Sequence, residues 1–447
     1  MIRSKDFYKS FFSLYIVLVL QNIIILSVNL ADNIMIGGYS EISLSGVAAV
    51  NQVQFVFQHF IMGCADALVV IGSQYWGQER TKEIKLISFA AFLTCSLAGA
   101  MLFLFAWFAP NKIISLFTSS PQIINQGVEY IKIIKYTYVV FAVTNILLAT
   151  LRTVETVKIA FLISLSTLMV NCSINFVLIE GRFGFPELGV TGAAIGTLTA
   201  RIIELIAVVL YILIADKKLG IRFKEYLRLD KDLAKDYLKT AWPIVMVSTM
   251  FGLSTALQTV ILGHMSDNAI AANSVSTSLY QTLKVIAIGG SSAASILMGK
   301  AVGAGNMKTI REYTKTFQVI FFVMACVMSS LLFVLKTPIL SFYDLSPETK
   351  HLANAFILVL CITGFGTAYE MPTLTGIIRG GGDGAFILKL DIISIWMIVL
   401  PLSYLAAFKF GWSPIAVVFC LNLDQLFKCV PAFIKANSYT WIKKLTK

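Results

Sequence analysis

The sequence has 447 residues, of which 57% are hydrophobic and only 13% charged, and its mean hydropathy is +0.80. Soluble domains carry about a quarter charged residues, so a water-soluble enzyme or binding domain is excluded. The formal charge of +12, from 36 Lys+Arg against 24 Asp+Glu, could suggest a nucleic-acid partner, but its distribution along the chain argues for membrane topology instead.

A membrane-crossing helix needs about 20 mostly apolar residues. The apolar runs predict twelve: 11–37, 47–76, 86–109, 123–150, 157–180, 187–215, 237–264, 270–298, 312–336, 349–378, 386–408 and 412–436. The first closes on "NLADNIMIGG" (29–38), which places Asp32 near the outer end of an otherwise lipid-compatible stretch. It lacks the short apolar core and small-residue cleavage site of a signal peptide, so it is expected to remain as a helix. The second carries Asp66, and the fourth carries Lys132, Lys135, Tyr136 and Tyr138. "NCSIN" in the fifth puts Asn171 and Asn175 one helical turn apart on one face. Arg201 and Glu204, three apart on the sixth, read as a local ion pair. Residues 216–236 are a polar, basic linker. Beyond it, Lys284, Glu370, Asp391 and Asp424 are charges at membrane depth, where charge marks function by default. Pro372 follows Glu370 closely and frees backbone oxygens beside it, whereas Asp391 at the inner end of its helix also reads as simply solvated.

With the N-terminus inside, the inner segments hold Arg80, Lys82, Lys85, the basic 216–239 stretch, Lys300, Lys308, Arg311, Lys315, Lys443, Lys444 and Lys447. The outer loops hold only Lys112, Arg182, Lys336, Lys350 and Lys409. This positive-inside asymmetry predicts a multi-pass protein with both termini cytoplasmic. The seven cysteines lie in apolar segments without CxxC spacing and are expected to pack as small hydrophobes. Nothing around the three histidines resembles a catalytic or metal-ligand arrangement, and "GGGDG" (380–384) lacks the GK[ST] ending of a phosphate loop. The expectation is a protein that is not an enzyme and has no cofactor and no nucleic-acid partner.

The chain repeats itself. At an offset of 226 residues Gly37 falls on Gly263, Ser40 on Ser266, Gly63 on Gly289, Gly77 on Gly303 and Lys82 on Lys308; Arg152 meets Arg379 at 227. The fold class that follows is an all-α integral membrane protein, with twelve transmembrane helices as two parallel six-helix repeats around a central cavity. The expected boundaries are 1–215 for the first lobe, 216–236 for the linker and 237–447 for the second lobe with its basic tail. Repeats of this kind suit transport by alternating access. The paired glycines read as points of close helix approach. Asp32 has no acidic twin, since its counterpart is Gln258, and that asymmetry favours a function beyond the shared fold.

"LADNIMIGG", "SQYWGQ" (73–78), "MGKAVGAGN" (298–306), "GRFGFPELGVTGAAIGT" (181–197) and "IIRGGGD" (377–383) together resemble the multidrug and toxic compound extrusion family over the whole chain. The resemblance implies a bacterial inner-membrane antiporter that exports amphipathic, mostly cationic compounds in exchange for H⁺ or Na⁺. It implies Asp32 as the coupling carboxylate, beside Asn171 and Asn175, with Thr197 and either Tyr136 or Tyr138 nearby. A Na⁺ ion would sit at Asp32, Asn171 and Asn175. The sequence departs from the family in two places: the seventh segment, "WPIVMVSTMFGLSTALQ" (242–258), has no acid, and Asn175 stands where some members carry Asp. Second-lobe site candidates are Glu370, Asp391, Asp424 and Lys284.

A buried carboxylate suits ion coupling because its charged form is costly until a proton or Na⁺ neutralises it. Expected partners are small amphipathic molecules and membrane lipid, with the protein a monomer. The rival reading is a flippase for lipid-linked or anionic amphipathic cargo, resting on Lys132, Lys135 and Lys284 if they face the cavity.

Overall fold

The computed structural model describes residues 2, 4–118, 120–221, 228–265, 267–341 and 346–446. Residues 222–227 of the expected linker, Ser266 of the repeat pairing and Lys447 of the tail lie outside the described residues. Among the described residues there is no strand, and the chain is an all-α membrane protein. Inside a bilayer every backbone N–H and C=O must be satisfied internally, and these apolar runs meet that demand as helices.

The first eight helices are α1 (Lys5–Tyr39), α2 (Glu41–Gly77), α3 (Thr81–Phe108), the short α4 (Pro110–Ser115), α5 (Pro121–Ile134), α6 (Tyr136–Thr153), α7 (Lys158–Leu178) and α8 (Gly189–Leu210). The second half has α9 (Lys231–Gly263), α10 (Asp267–Gly303), α11 (Met307–Ser341), α12 (Pro347–Met371), α13 (Gly384–Asp391), α14 (Leu400–Tyr404), α15 (Pro414–Leu421), α16 (Asp424–Phe427) and α17 (Cys429–Ser438). Wider π-helical turns extend α12 through Ile378 and join α13 to α14.

Eleven helical stretches are long and apolar enough to cross a membrane, and α5 with α6 makes a twelfth, bent by 49°. The expected helix over 123–150 is therefore broken at Lys135. Many large apolar side chains remain exposed outside the cores, Phe108 at 79% among them, as lipid contact requires. The cysteine expectation holds for the buried Cys64, Cys95 and Cys420, whereas Cys326 on α11 is exposed.

The described chain divides into two compact units, one of Leu20–Val245 and the other of Met1–Val19 with Met246–Lys447. In the first unit α2 packs against α3, α5 and α6, and α7 packs along α8. In the second, α12 packs against both α10 and α11. Of the paired glycines, Gly289 has the close neighbour expected of such positions: a Cβ there would run into the Val19 side chain.

The C-terminal segment folds back onto the "RGGGD" turn. Trp441 is fully buried with its ring on Gly381, the Lys443 N–H donates to the Gly381 carbonyl at 2.9 Å, and Lys443 and Lys435 pair with Asp383 at 2.7 and 3.0 Å. Burial raises the Asp383 pKa, but hydrogen bonds from these two ammonium groups outweigh it and hold the carboxyl below its usual range.

Candidate ion-coupling site and a second charged cluster

The first unit gathers its polar groups where α7 crosses α1 and α8. Asn171 and Asn175 occupy one face of α7, both buried. The Asn175 Nδ2 donates to the Asp32 Oδ1 at 2.6 Å and to the Asn171 Oδ1 at 3.5 Å, and the Asn171 Nδ2 donates to the Thr197 Oγ1 at 3.3 Å. Gly196 makes this possible: a Cβ at that position would occupy the place of the Asn175 Oδ1. That oxygen is buried and has no hydrogen-bond partner among the described residues. A cavity of about 80 Å³, lined by Met35, Asn175, Phe176, Ile179, Glu180 and Arg182, reaches the group from the turn after α7. At its edge the Arg182 guanidinium lies 3.8 Å from the Phe176 ring centre and its Nε donates to Glu180 at 2.8 Å.

Four of the five expected residues, Asp32, Asn171, Asn175 and Thr197, thus meet. Tyr136 does not. The bend at Lys135 turns it to the outer face, where it is exposed and packs on Phe103 and Trp107 at ring distances of 5.4 and 6.4 Å. Tyr138, the alternative, is buried against Phe57 at 5.7 Å. The tyrosine near Thr197 and in electrostatic range of Asp32 is the buried Tyr130. It sits eight residues before Tyr138, on the other side of the bend, so a straight-helix register does not find it.

Arg201 forms the expected pair with Glu204 at 2.7 Å, lies over the Phe141 ring at 5.3 Å, and is near enough to Asp32 to act on its charge. Chemically the group offers one carboxylate, two amide carbonyls and a hydroxyl. Hard oxygen donors of this kind suit a proton or Na⁺ and offer nothing to a soft metal.

The second unit also concentrates charge. Lys428, 4% exposed, pairs with the Asp391 Oδ1 at 2.7 Å and the Asp424 Oδ2 at 2.9 Å. Asp391 is therefore tied into an ion pair, not left solvated at a helix end, because the π-helical turns that follow α13 pack against α16 and bring Lys428 to it. The Gln425 Nε2 donates to Asp424 at 3.1 Å; the Thr367 hydroxyl donates to the Gln425 Oε1 at 2.9 Å and receives the Tyr280 hydroxyl at 2.6 Å. Glu370 is buried at the end of α12, where Pro372 opens a π-helical segment, and it lies in electrostatic range of Lys428, Lys284, Asp391 and Asp424. The four candidates therefore share one neighbourhood whose centre, Lys428, the sequence reading missed. The i, i+4 spacing of Asp424 and Lys428 was the available signal.

The MatE family model matches residues 18–177 and 243–405, more than two-thirds of the chain. The chain belongs to the MatE family. Among curated relatives of this MatE chain, the uncharacterized transporter YisQ of Bacillus subtilis is 24% identical over 93% of this chain and 90% of its own length. The probable multidrug resistance protein NorM of Bacillus cereus is also 24% identical, over 98% and 96%. Solved structures share the fold. A MATE crystal structure in complex with MaL6 superposes with a TM-score of 0.87 at 15% identity, covering 96% of this chain and 95% of that one. A MOP superfamily transporter from Pyrococcus furiosus, whose binding pocket is described as of reverse polarity, gives 0.88 at 16% identity, covering 98% and 96%.

Proposed function

We propose that this MatE chain is a cation-coupled exporter of amphipathic, mostly cationic small molecules in a bacterial plasma membrane, with both termini inside and Asp32 as the coupling carboxylate. The observation that carries the reading is the 2.6 Å bond from the Asn175 Nδ2 to the Asp32 Oδ1, backed by Asn171 and Thr197. The multidrug resistance description of the NorM relatives supports the cargo class, and the Lys/Arg asymmetry supports the orientation.

The geometry suggests how loading is sensed. An ionised Asp32 accepts from the Asn175 amide N–H. A protonated Asp32, or a Na⁺ bound to it, calls for an oxygen from the same side chain. The partnerless Asn175 Oδ1 is the group to supply it, by a half-turn of the amide. Loading and unloading would therefore reorient a side chain wedged between α7 and α8. H⁺ and Na⁺ both fit this scheme.

The test is ethidium efflux from everted membrane vesicles holding the wild-type chain, with a proton gradient and a sodium gradient imposed separately. Export driven by one of them is expected, and the gradient that works identifies the coupling ion. Export under neither removes the reading. A second expectation follows from Gly196. In Gly196→Ala the methyl displaces the Asn175 amide, and gradient-driven efflux should fall about tenfold, the scale of one lost hydrogen bond to a charged group, while the protein stays folded by size-exclusion chromatography. A wild-type rate in that variant would show that the Asn175 contact does not matter.

The flippase reading has less support. Of its three lysines, Lys135 lies 3.8 Å from the Trp107 ring centre and Lys132 is exposed on α5. Lys284 alone is left, which is too few cations to grip a diphosphate.

A further inference from the structure

Lys284 is the one membrane-depth lysine of the second unit's charged neighbourhood without a committed partner. Lys428 is matched by two carboxylates. Lys284 makes no hydrogen bond or ion pair among the described residues; its ammonium rests over the rings of Phe251 at 5.0 Å and Tyr280 at 5.9 Å. It is half-buried, and the acids in its electrostatic range, Glu370 and Asp424, are themselves buried, so it faces the interior of the unit and not lipid. Snorkelling does not account for it. Lys284 stands midway along α10, about 25 Å from either end at 1.5 Å per residue, several times the reach of a lysine arm.

A charge held in a membrane span without an ion pair is costly and signals a ligand. The shape of the site narrows the class. Phe251, exposed beside the ammonium, offers an apolar ring to a flat body, while the buried Tyr280 backs the lysine from the core. The ammonium takes an anionic oxygen through a charge-assisted hydrogen bond. The neighbouring acids oppose a simple anion: with Asp391 and Asp424 both opposite Lys428, that trio carries a net negative charge, and an ionised Glu370 adds another. A cargo bearing both signs answers this arrangement, its carboxylate on Lys284 and its amine toward Glu370.

We propose that Lys284 is a specificity-determining cargo contact that reads the carboxylate of zwitterionic aromatic compounds, with the exposed Phe251 ring against their ring system and Tyr280 backing the lysine from the core. This rests on the exporter reading for its physiological meaning, but the site can be tested by binding alone. Two fluorescent probes differ only in the carboxylate: Nε-dansyl-lysine is zwitterionic, and dansylcadaverine is the cation that lacks the acid group.

Both would be titrated onto purified full-length protein in detergent. Wild type should bind both. Lys284→Met should weaken dansyl-lysine at least about tenfold, the scale of a lost hydrogen bond to a charged group, while dansylcadaverine binding stays or tightens because a repelling cation is gone. Lys284→Arg should hold dansyl-lysine within a few-fold of wild type. Equal losses for the two probes in Lys284→Met, no loss for either, or an Arg variant as weak as the Met variant would each overturn the assignment. So would a wild type that fails to bind dansyl-lysine. If wild type binds dansyl-lysine as described but no gradient drives export, the site stands and the exporter reading falls.

Discussion

Asp32→Asn should reduce gradient-driven ethidium efflux by about a hundredfold, the upper range of what a charge-assisted interaction of about 3 kcal/mol contributes. Asparagine has nearly the same shape as aspartate, and it can still accept the hydrogen bond that the Asn175 Nδ2 gives at 2.6 Å. What it loses is the ability to take up a proton or to neutralise Na⁺. The variant should therefore insert, fold and bind ethidium in detergent, yet respond to neither gradient. Efflux assays in everted vesicles, beside a binding titration on the purified variant, separate these outcomes. Transport near the wild-type rate would mean that the ion couples elsewhere, with Glu370 the next carboxylate to substitute.

The second large effect is on stability. Lys428 is 4% exposed and faces Asp391 and Asp424, whose side chains are 15% and 3% exposed. Removing one member of a buried ionic group strands the charges of the others, at a cost of about 3–5 kcal/mol. Lys428→Met should lower the thermal unfolding temperature of the purified protein in micelles by several degrees, or prevent its recovery from membranes. Lys428→Met combined with Asp391→Asn and Asp424→Asn should recover most of that loss, since apolar and neutral groups of similar size need no counter-ion. An unchanged unfolding temperature in the single variant would show the cluster to be hydrated and not ionically matched. The triple variant also separates a structural role from a transport role: recovery of folding without recovery of efflux would place Lys428 or its acids in the transport cycle.

Much of the fold was legible because it is written locally. A run of about 20 apolar residues is a span wherever it occurs, and eleven stretches plus one bent pair match the twelve expected. The meeting of Asp32, Asn171, Asn175 and Thr197 was reached through the family resemblance, and the i, i+4 spacing on α7 made one shared face a geometric certainty once α7 was a helix. What was not legible depends on contacts between elements distant in the chain. The break at Lys135 has no proline to mark it and its nearest glycine, Gly127, lies two turns earlier, so Tyr136 was placed inward when it faces out, and Tyr130 was passed over. Lys428 was not singled out from the sequence at all. Only the packing of the turns after α13 against α16 shows Asp391 coming to it from 37 residues away. The tail was expected only to be basic, and the burial of Trp441 on Gly381 depends on the turn at 379–383.

The most direct measurement of the central claim is cation release on cargo binding. Purified protein, lightly buffered and loaded at low pH or with radioactive sodium, would be mixed with ethidium while the freed proton or Na⁺ is recorded. Wild type should release the cation as ethidium binds, and Asp32→Asn should bind ethidium and release none. Equal release from the Asp32→Asn variant would contradict the assignment of Asp32 as the coupling group.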